Sequence, residues 1–133
     1  MSVNKNEVLV QLRQRENVYV MYSKCTRMPF VLCDPETYDD EVFIFFDEAD
    51  GAQESEQFNE SGNPVQMVKI EKKNFLPFYS GLYPMGVNCL VVNKGTGLEI
   101  AIQLEDLVRR PENQKLPEGT VRIENREFHL TAL

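Results

Sequence analysis

The sequence predicts an α+β fold: a single domain with a mixed β-sheet of about five to six strands and two to four helices packed on it. Three observations predict it. Runs rich in β-branched and aromatic residues recur at strand length, the most apolar being Val42-Phe43-Ile44-Phe45-Phe46. Other segments space their apolar residues at helical intervals. From the first strand onward the order, ββ-β-α-β-α-ββ-α, fits a mixed sheet with helices against it. A chain of 133 residues with 42% apolar content can build one core, burying roughly two thirds of its unfolded surface.

The first element is a short amphipathic helix opening at Asn6, with Val8, Leu9 and Leu12 on its apolar side, stopping near Glu16-Asn17. Residues 18–22 read as a strand and 28–33 as a second; the polar link 23–27 makes the pair an antiparallel hairpin. Asp34-Pro35-Glu36-Thr37 is a turn in which Pro35 fixes φ and Asp34 is placed to cap. Residues 41–46 form a third strand, and their unbroken apolar run gives it a central position covered on both faces. An acidic helix runs from Asp47 to about Asn59, its first turn carrying Asp47, Glu48 and Asp50, the sign that complements the helix dipole. Gly51 weakens that helix by ~1 kcal/mol relative to Ala.

Ser61-Gly62-Asn63-Pro64 ends the acidic helix, and residues 65–70 form a fourth strand with Val65, Met67 and Ile70 inward. A further helix over 72–82 gathers Phe75, Leu76, Tyr79 and Leu82 on one side. After the break Tyr83-Pro84-Met85-Gly86 comes a fifth strand, 87–92, joined by Asn93-Lys94-Gly95-Thr96-Gly97 to a sixth, 98–102, as a hairpin. Residues 103–108 form a short helix. The domain thus spans 1–110. The extension 111–133 is polar and irregular to Pro117, then places Val121-Arg122-Ile123 and Phe128-His129-Leu130 around Glu124-Asn125-Arg126 as a small hairpin or an edge addition.

Charge is unevenly placed. Residues 34–60 hold eleven acidic side chains and no Lys or Arg, so this block carries the whole net charge of −7 and the remainder balances to about +4. Phosphate backbones are repelled by such a balance, and the basic residues are scattered apart from the pairs Lys72-Lys73 and Arg109-Arg110, so no nucleic-acid partner is expected. No run approaches the ~18 apolar residues of a membrane span. Residues 1–7 have no apolar h-region, so no signal peptide is expected. Three widely spaced cysteines, Cys25, Cys33 and Cys89, fit a reducing cytoplasm better than a disulfide framework.

The motifs that carry chemistry are weak. Asp47-Glu48-Ala49-Asp50-Gly51 has the look of a calcium loop, but with Gly51 at the sixth position the first ligand position falls on Phe46. No metal site and no cofactor is expected. His129 is the single histidine, the cysteines sit on or beside strands where small buried hydrophobes are common, and no Ser lies in a G-x-S-x-G context, so no catalytic residue is assigned. Gly95 and Gly97 separate two strands, which calls for a turn with φ > 0 rather than a phosphate cradle. Phe75, Phe78, Tyr79 and Tyr83 recur near helical spacing as core packing, the alternative being an aromatic binding patch.

Four stretches, taken in order, resemble the N-terminal domain of the enhanced serine sensitivity (SseB-like) family: residues 18–33, Val42-Phe43-Ile44-Phe45-Phe46-Asp47, residues 64–70 with the helix of Phe75, and Gly86-Val87-Asn88-Cys89-Leu90-Val91-Val92-Asn93 with Gly95 and the strand after it. The resemblance covers about two thirds of the chain. It departs at Phe45-Phe46, where the family has Phe-Thr, and at Asn93-Lys94, where it has Asn-Pro. It implies an α+β bacterial cytoplasmic domain with no established enzymatic chemistry.

The expected function is therefore a non-enzymatic interaction or regulatory domain that docks a protein partner through an acidic face, with Asp39, Asp40, Asp47, Glu48 and Asp50 as the partner-binding residues. The plain alternative for the block is a solvated helix face with an acidic loop, and two other functional readings stay open. One is a small-molecule or metal-binding domain, or an enzyme, using the same carboxylates; the other is a structural subunit that homodimerises through the edge 121–130.

Overall fold

In the computed structural model, which describes residues 3–109, 121–123 and 126–130, the most apolar run of the chain lies at the centre of the main sheet. This strand, β3 (Asp40–Phe45), pairs antiparallel with β1 (Asn17–Ser23) and β2 (Val31–Cys33) along one edge and parallel with β5 (Cys89–Val92) along the other. Outside β1 lies β4 (Val65–Glu71), and outside β5 lies β6 (Ile100–Gln103), giving the order β4-β1-β3-β5-β6 with β2 alongside β3. The fold is the expected α+β one, a mixed sheet with its helices packed against it.

Alternation along β3 divides the core. Val42 and Ile44 face one layer with Val18, Val20, Leu90, Val92 and Ile102. That layer is covered by α1 (Lys5–Gln14) through Val8, Leu9 and Leu12, by α3 (Phe75–Gly81) through Phe75 and Tyr79, and by α4 (Leu104–Leu107) through both its leucines. Phe43 and Phe45 face the opposite layer with Met21, Val65, Cys89 and Val91. There a single helix, α2 (Glu48–Glu60), crosses β4, β1 and β3.

Local chemistry sets the ends of these elements. Asn4 caps α1, its Oδ1 accepting from the amides of Asn6 and Glu7. Asp47 caps α2 by accepting from the Ala49 amide. Lys72–Asn74 forms a single 3-10 turn before α3, so the expected continuous helix over 72–82 is split in two. Tyr79, fully buried, donates its hydroxyl to the Leu12 carbonyl at 2.8 Å, which satisfies one of the orphan acceptors at the end of α1.

Two sequence expectations are corrected. The second strand does not form a hairpin over 28–33. Ser23 and Met28 share one hydrogen bond, Phe30 donates to Met21, and a lone bridge joins Tyr22 to Pro29; then the chain leaves β1 and pairs Val31, Leu32 and Cys33 with β3. The first ladder cannot continue because β3 already occupies that edge of β1 at Tyr19 and Val20. The cysteines also divide: Cys89 is buried as expected, whereas Cys25 and Cys33 are exposed.

The extension forms β8 (Val121–Ile123) and β9 (Arg126–Leu130), paired antiparallel. β9 also pairs with β7 (Val108–Arg109), so these three strands make a separate small sheet instead of lengthening the main one. The irregular segment expected over 111–117 lies outside the described residues. Among the described residues no helix is long and apolar enough to cross a membrane.

Candidate functional site

The β5–β6 turn brings the acidic block together with residues far from it in sequence. Asn93 adopts φ 57 and is buried. Its amide donates to the Ile44 carbonyl at 2.8 Å, and its Oδ1 accepts from the Phe46 amide at 3.0 Å, locking the turn to the exit of β3. Asn tolerates the left-handed region because its short polar side chain bonds locally. Lys94 follows, and its ammonium lies 5.6 Å from the centroid of the Phe43 ring, on the same sheet face as α2. Gly95 has φ 79, and its amide donates to Glu99 Oε1 at 2.8 Å.

Around Lys94 stand carboxylates from four elements. Glu41 lies on β3, on the face of Phe43, and Asp34 and Asp39 lie in the turn before it. Glu99 comes from the approach to β6, and Asp50 and Glu54 from α2. Burial raises the Glu41 carboxyl above its ordinary value, and repulsion from Asp34, Asp39 and Glu99 adds to this while Lys94 partly offsets it. The neighbouring Cys89 thiol is pushed up to about 11, first by burial and then by Glu41, Asp39 and Asp34. It stays a thiol at neutral pH and is no nucleophile.

On the α2 side the site deepens into a cleft of about 330 Å³ lined by Asp50, Gln53, Glu54, Gln57, Lys94, Gly95 and Thr96. Glu54 is only 8% exposed. Its carboxylate rests against Gly95 in the place a Cβ would take. One turn earlier on the same face, α2 is equally tight: a Cβ on Gly51 would meet Met67 Cε at 2.5 Å and Phe45 Cδ2 at 3.1 Å. A residue that weakens the helix by propensity is thus what lets α2 approach the sheet closely enough to face the turn.

The residues expected from sequence are dispersed by this geometry. β3 spans six residues, roughly 20 Å, between Asp39-Asp40 and Asp47-Glu48. Asp39 belongs to the cluster and accepts from Asn88 Nδ2 at 2.9 Å. Asp40 shares the face of Val42 and Ile44, away from Glu41. Asp47 is occupied as the cap of α2. Glu48 is exposed and stands about 200° around the helix from Asp50, which lines the cleft. Glu41 and Glu54 fall within the loop and acidic helix expected to dock but not among those five residues, and Lys94 and Glu99 lie outside the acidic block. One signal was available, the i, i+4 spacing of Asp50 and Glu54; the position of the turn was not legible.

His129 lies on β9 opposite Arg109, in the small sheet. Among the described residues no group of three or more His, Cys, Asp or Glu is arranged to hold a metal ion. No protein-family model matches this chain. No curated protein matches it significantly. The chain's own geometry therefore carries the functional argument.

Proposed function

We propose that this protein is a non-enzymatic interaction domain that docks a basic segment of a partner protein against the face bearing Glu41, Lys94, Glu99 and the cleft beside α2. The observation that carries the reading is the gathering of Asp34, Asp39, Glu41, Asp50, Glu54 and Glu99 from separate elements onto one side of the sheet around one lysine. Helix packing does not require these carboxylates, and Glu41 bears a desolvation and repulsion cost there. A cationic partner relieves both. Apolar surface stands nearby for contact, with Leu32 at 39% and Leu98 at 53% exposed. The bacterial cytoplasmic setting implied by the SseB-like resemblance belongs to the same proposal.

Binding of a fluorescently labelled octalysine peptide tests it. Affinity is expected to fall steeply as salt rises, because the Debye length shrinks from ~10 Å at 0.1 M to ~3 Å at 1 M. The double variant Asp39→Asn/Glu41→Gln is expected to bind more weakly than the wild type, and Glu48→Gln/Glu60→Gln to bind nearly as well. Equal loss from both pairs would reduce the site to net charge alone and overturn the assignment of this face.

A further inference from the structure

We propose that the cleft between α2 and the β5–β6 turn is a socket for one guanidinium group, an arginine side chain of the docked partner. This rests on the docking reading and goes further, naming the group recognised and the residues that hold it.

The argument starts from Glu54. It is more than nine-tenths buried, its carboxylate faces the cleft, and it has no hydrogen-bond or ion-pair partner among the described residues. Its oxygens are not sealed from solvent, since among the described residues the sealed, unpartnered side-chain atoms are Arg13 Nε and Arg15 Nε, so the carboxylate opens into the cleft where a cation can reach it. Lys94 lines the same cleft without forming an ion pair with Glu54, its ammonium sitting over Phe43. Asp50 lies one helical turn before Glu54, with Cβ atoms about 5–6 Å apart, so two like charges share the cleft wall.

The remaining lining decides the sign of the ligand. The donors of the turn are already used. The Gly95 amide donates to Glu99, and the Thr96 amide and hydroxyl both donate to the Asn93 carbonyl. An anion would find Lys94 and the side-chain amides of Gln53 and Gln57, but it would stand against the carboxylates of Asp50 and Glu54. The acceptors, by contrast, are open: the carboxylates of Asp50 and Glu54, with the amide oxygens of Gln53 and Gln57 beside them. A divalent metal asks for six or more oxygens, and no three-ligand group stands here among the described residues. Several acceptors on two helical turns suit a planar fork with five N–H donors better than a compact ammonium. The volume of about 330 Å³ admits an arginine side chain. Gly95 makes the arrangement: any Cβ there would displace the Glu54 carboxylate.

The test is an NMR titration of the full chain with N-acetyl-arginine amide, N-acetyl-lysine amide, N-acetyl-glutamine amide and calcium chloride. The arginine probe is expected to shift the amides of Gly95, Thr96 and Glu54 saturably, and the glutamine probe to leave them unmoved. Glu54→Gln is expected to weaken the arginine probe at least about tenfold, the loss of a charge-assisted bond. Asp50→Asn, the second variant, is expected to weaken it several-fold, and Asp39→Asn no more than about twofold. Arginine shifts spread away from the cleft, undiminished binding to Glu54→Gln, a lysine probe that binds as tightly, or calcium that saturates the same amides more tightly would each overturn the socket. If octalysine still binds in a salt-dependent way, only the socket falls and the docking reading stands. If octalysine does not bind either, both fall.

Discussion

Gly95→Ala is the substitution that examines the site most directly, since two separate effects meet at one Cβ. The first is in the backbone. Gly95 has φ 79, and holding an L-residue there costs about 1–2 kcal/mol. The second is steric: the added Cβ would stand where the Glu54 carboxylate lies. Overpacking against a buried neighbour costs about 1–3 kcal/mol, with the lower end applying because the clashing atoms end a flexible side chain that can retreat into the cleft. The expected loss is therefore about 2–3 kcal/mol. In a Glu54→Ala background only the backbone part remains, about 1–2 kcal/mol, leaving a coupling of about 1 kcal/mol between the two positions. Urea denaturation of the four proteins of the cycle reads this out. With a slope of roughly 2 kcal/mol per molar urea, Gly95→Ala moves the midpoint by about 1 M in the wild type and visibly less in the alanine background. Costs that agree within about 0.4 kcal/mol in both backgrounds would refute the placement of Glu54 against the turn.

Three further outcomes follow from the same structure. Tyr79→Phe is expected to destabilise the fold by about 1–3 kcal/mol in the same urea assay, because it removes the hydroxyl that donates to Leu12 and leaves that carbonyl unpaired in the core. Glu41→Gln is expected to stabilise the protein at pH 7. Its carboxyl is raised in the folded state, so ionisation opposes folding: stability is full below the ordinary carboxylate value and falls as pH rises through the raised one. The advantage of the glutamine variant should shrink as pH is lowered into the carboxylate range, and an advantage independent of pH would contradict the burial and repulsion argument. A thiol-reactive dye is expected to label Cys25 and Cys33 quickly in the native protein and Cys89 only after unfolding, since Cys89 is buried with its thiol at about 11. Native labelling of all three cysteines would show that the layer under Glu41 opens.

The features of this fold legible in the sequence were those set within one element. Val42, Phe43, Ile44 and Phe45 are apolar without alternation, and a strand of that kind is buried on both faces; the four are at most 1% exposed. Val8, Leu9 and Leu12 announce a helix with one inward side, and they are where α1 meets the core. The fate of residues 28–33 was not legible, because an extended apolar segment does not reveal which neighbour it pairs with. β3 occupies the edge of β1 at Tyr19 and Val20, so beyond Phe30 the segment pairs instead with residues 40–42 of β3. Cys33 shows the same limit: it pairs with Asp40 at the start of β3, where the small strand is open to solvent.

The site was harder to read than the fold because its parts obey no common local pattern. Within the acidic block the helix cap, the turn carboxylates and the cleft residue look alike in sequence, yet they do different things. Asp47 accepts from an amide in its own first turn. Asp34 accepts from Glu36 and Thr37 in the turn it caps. Glu54 faces a turn about forty residues further along the chain. What distinguishes Glu54 is the pair of glycines on either side of it. Gly51 lets α2 approach Phe45 and Met67, and Gly95 lets the turn approach α2. Each glycine taken alone has a plain local reading, a weak helix position and a hairpin turn. Taken together they set the distance between two elements, and that distance separates a buried, unpaired carboxylate in a cleft from one more solvated charge. The charge block marks where carboxylates are abundant; the two glycines determine which of them is buried against the turn.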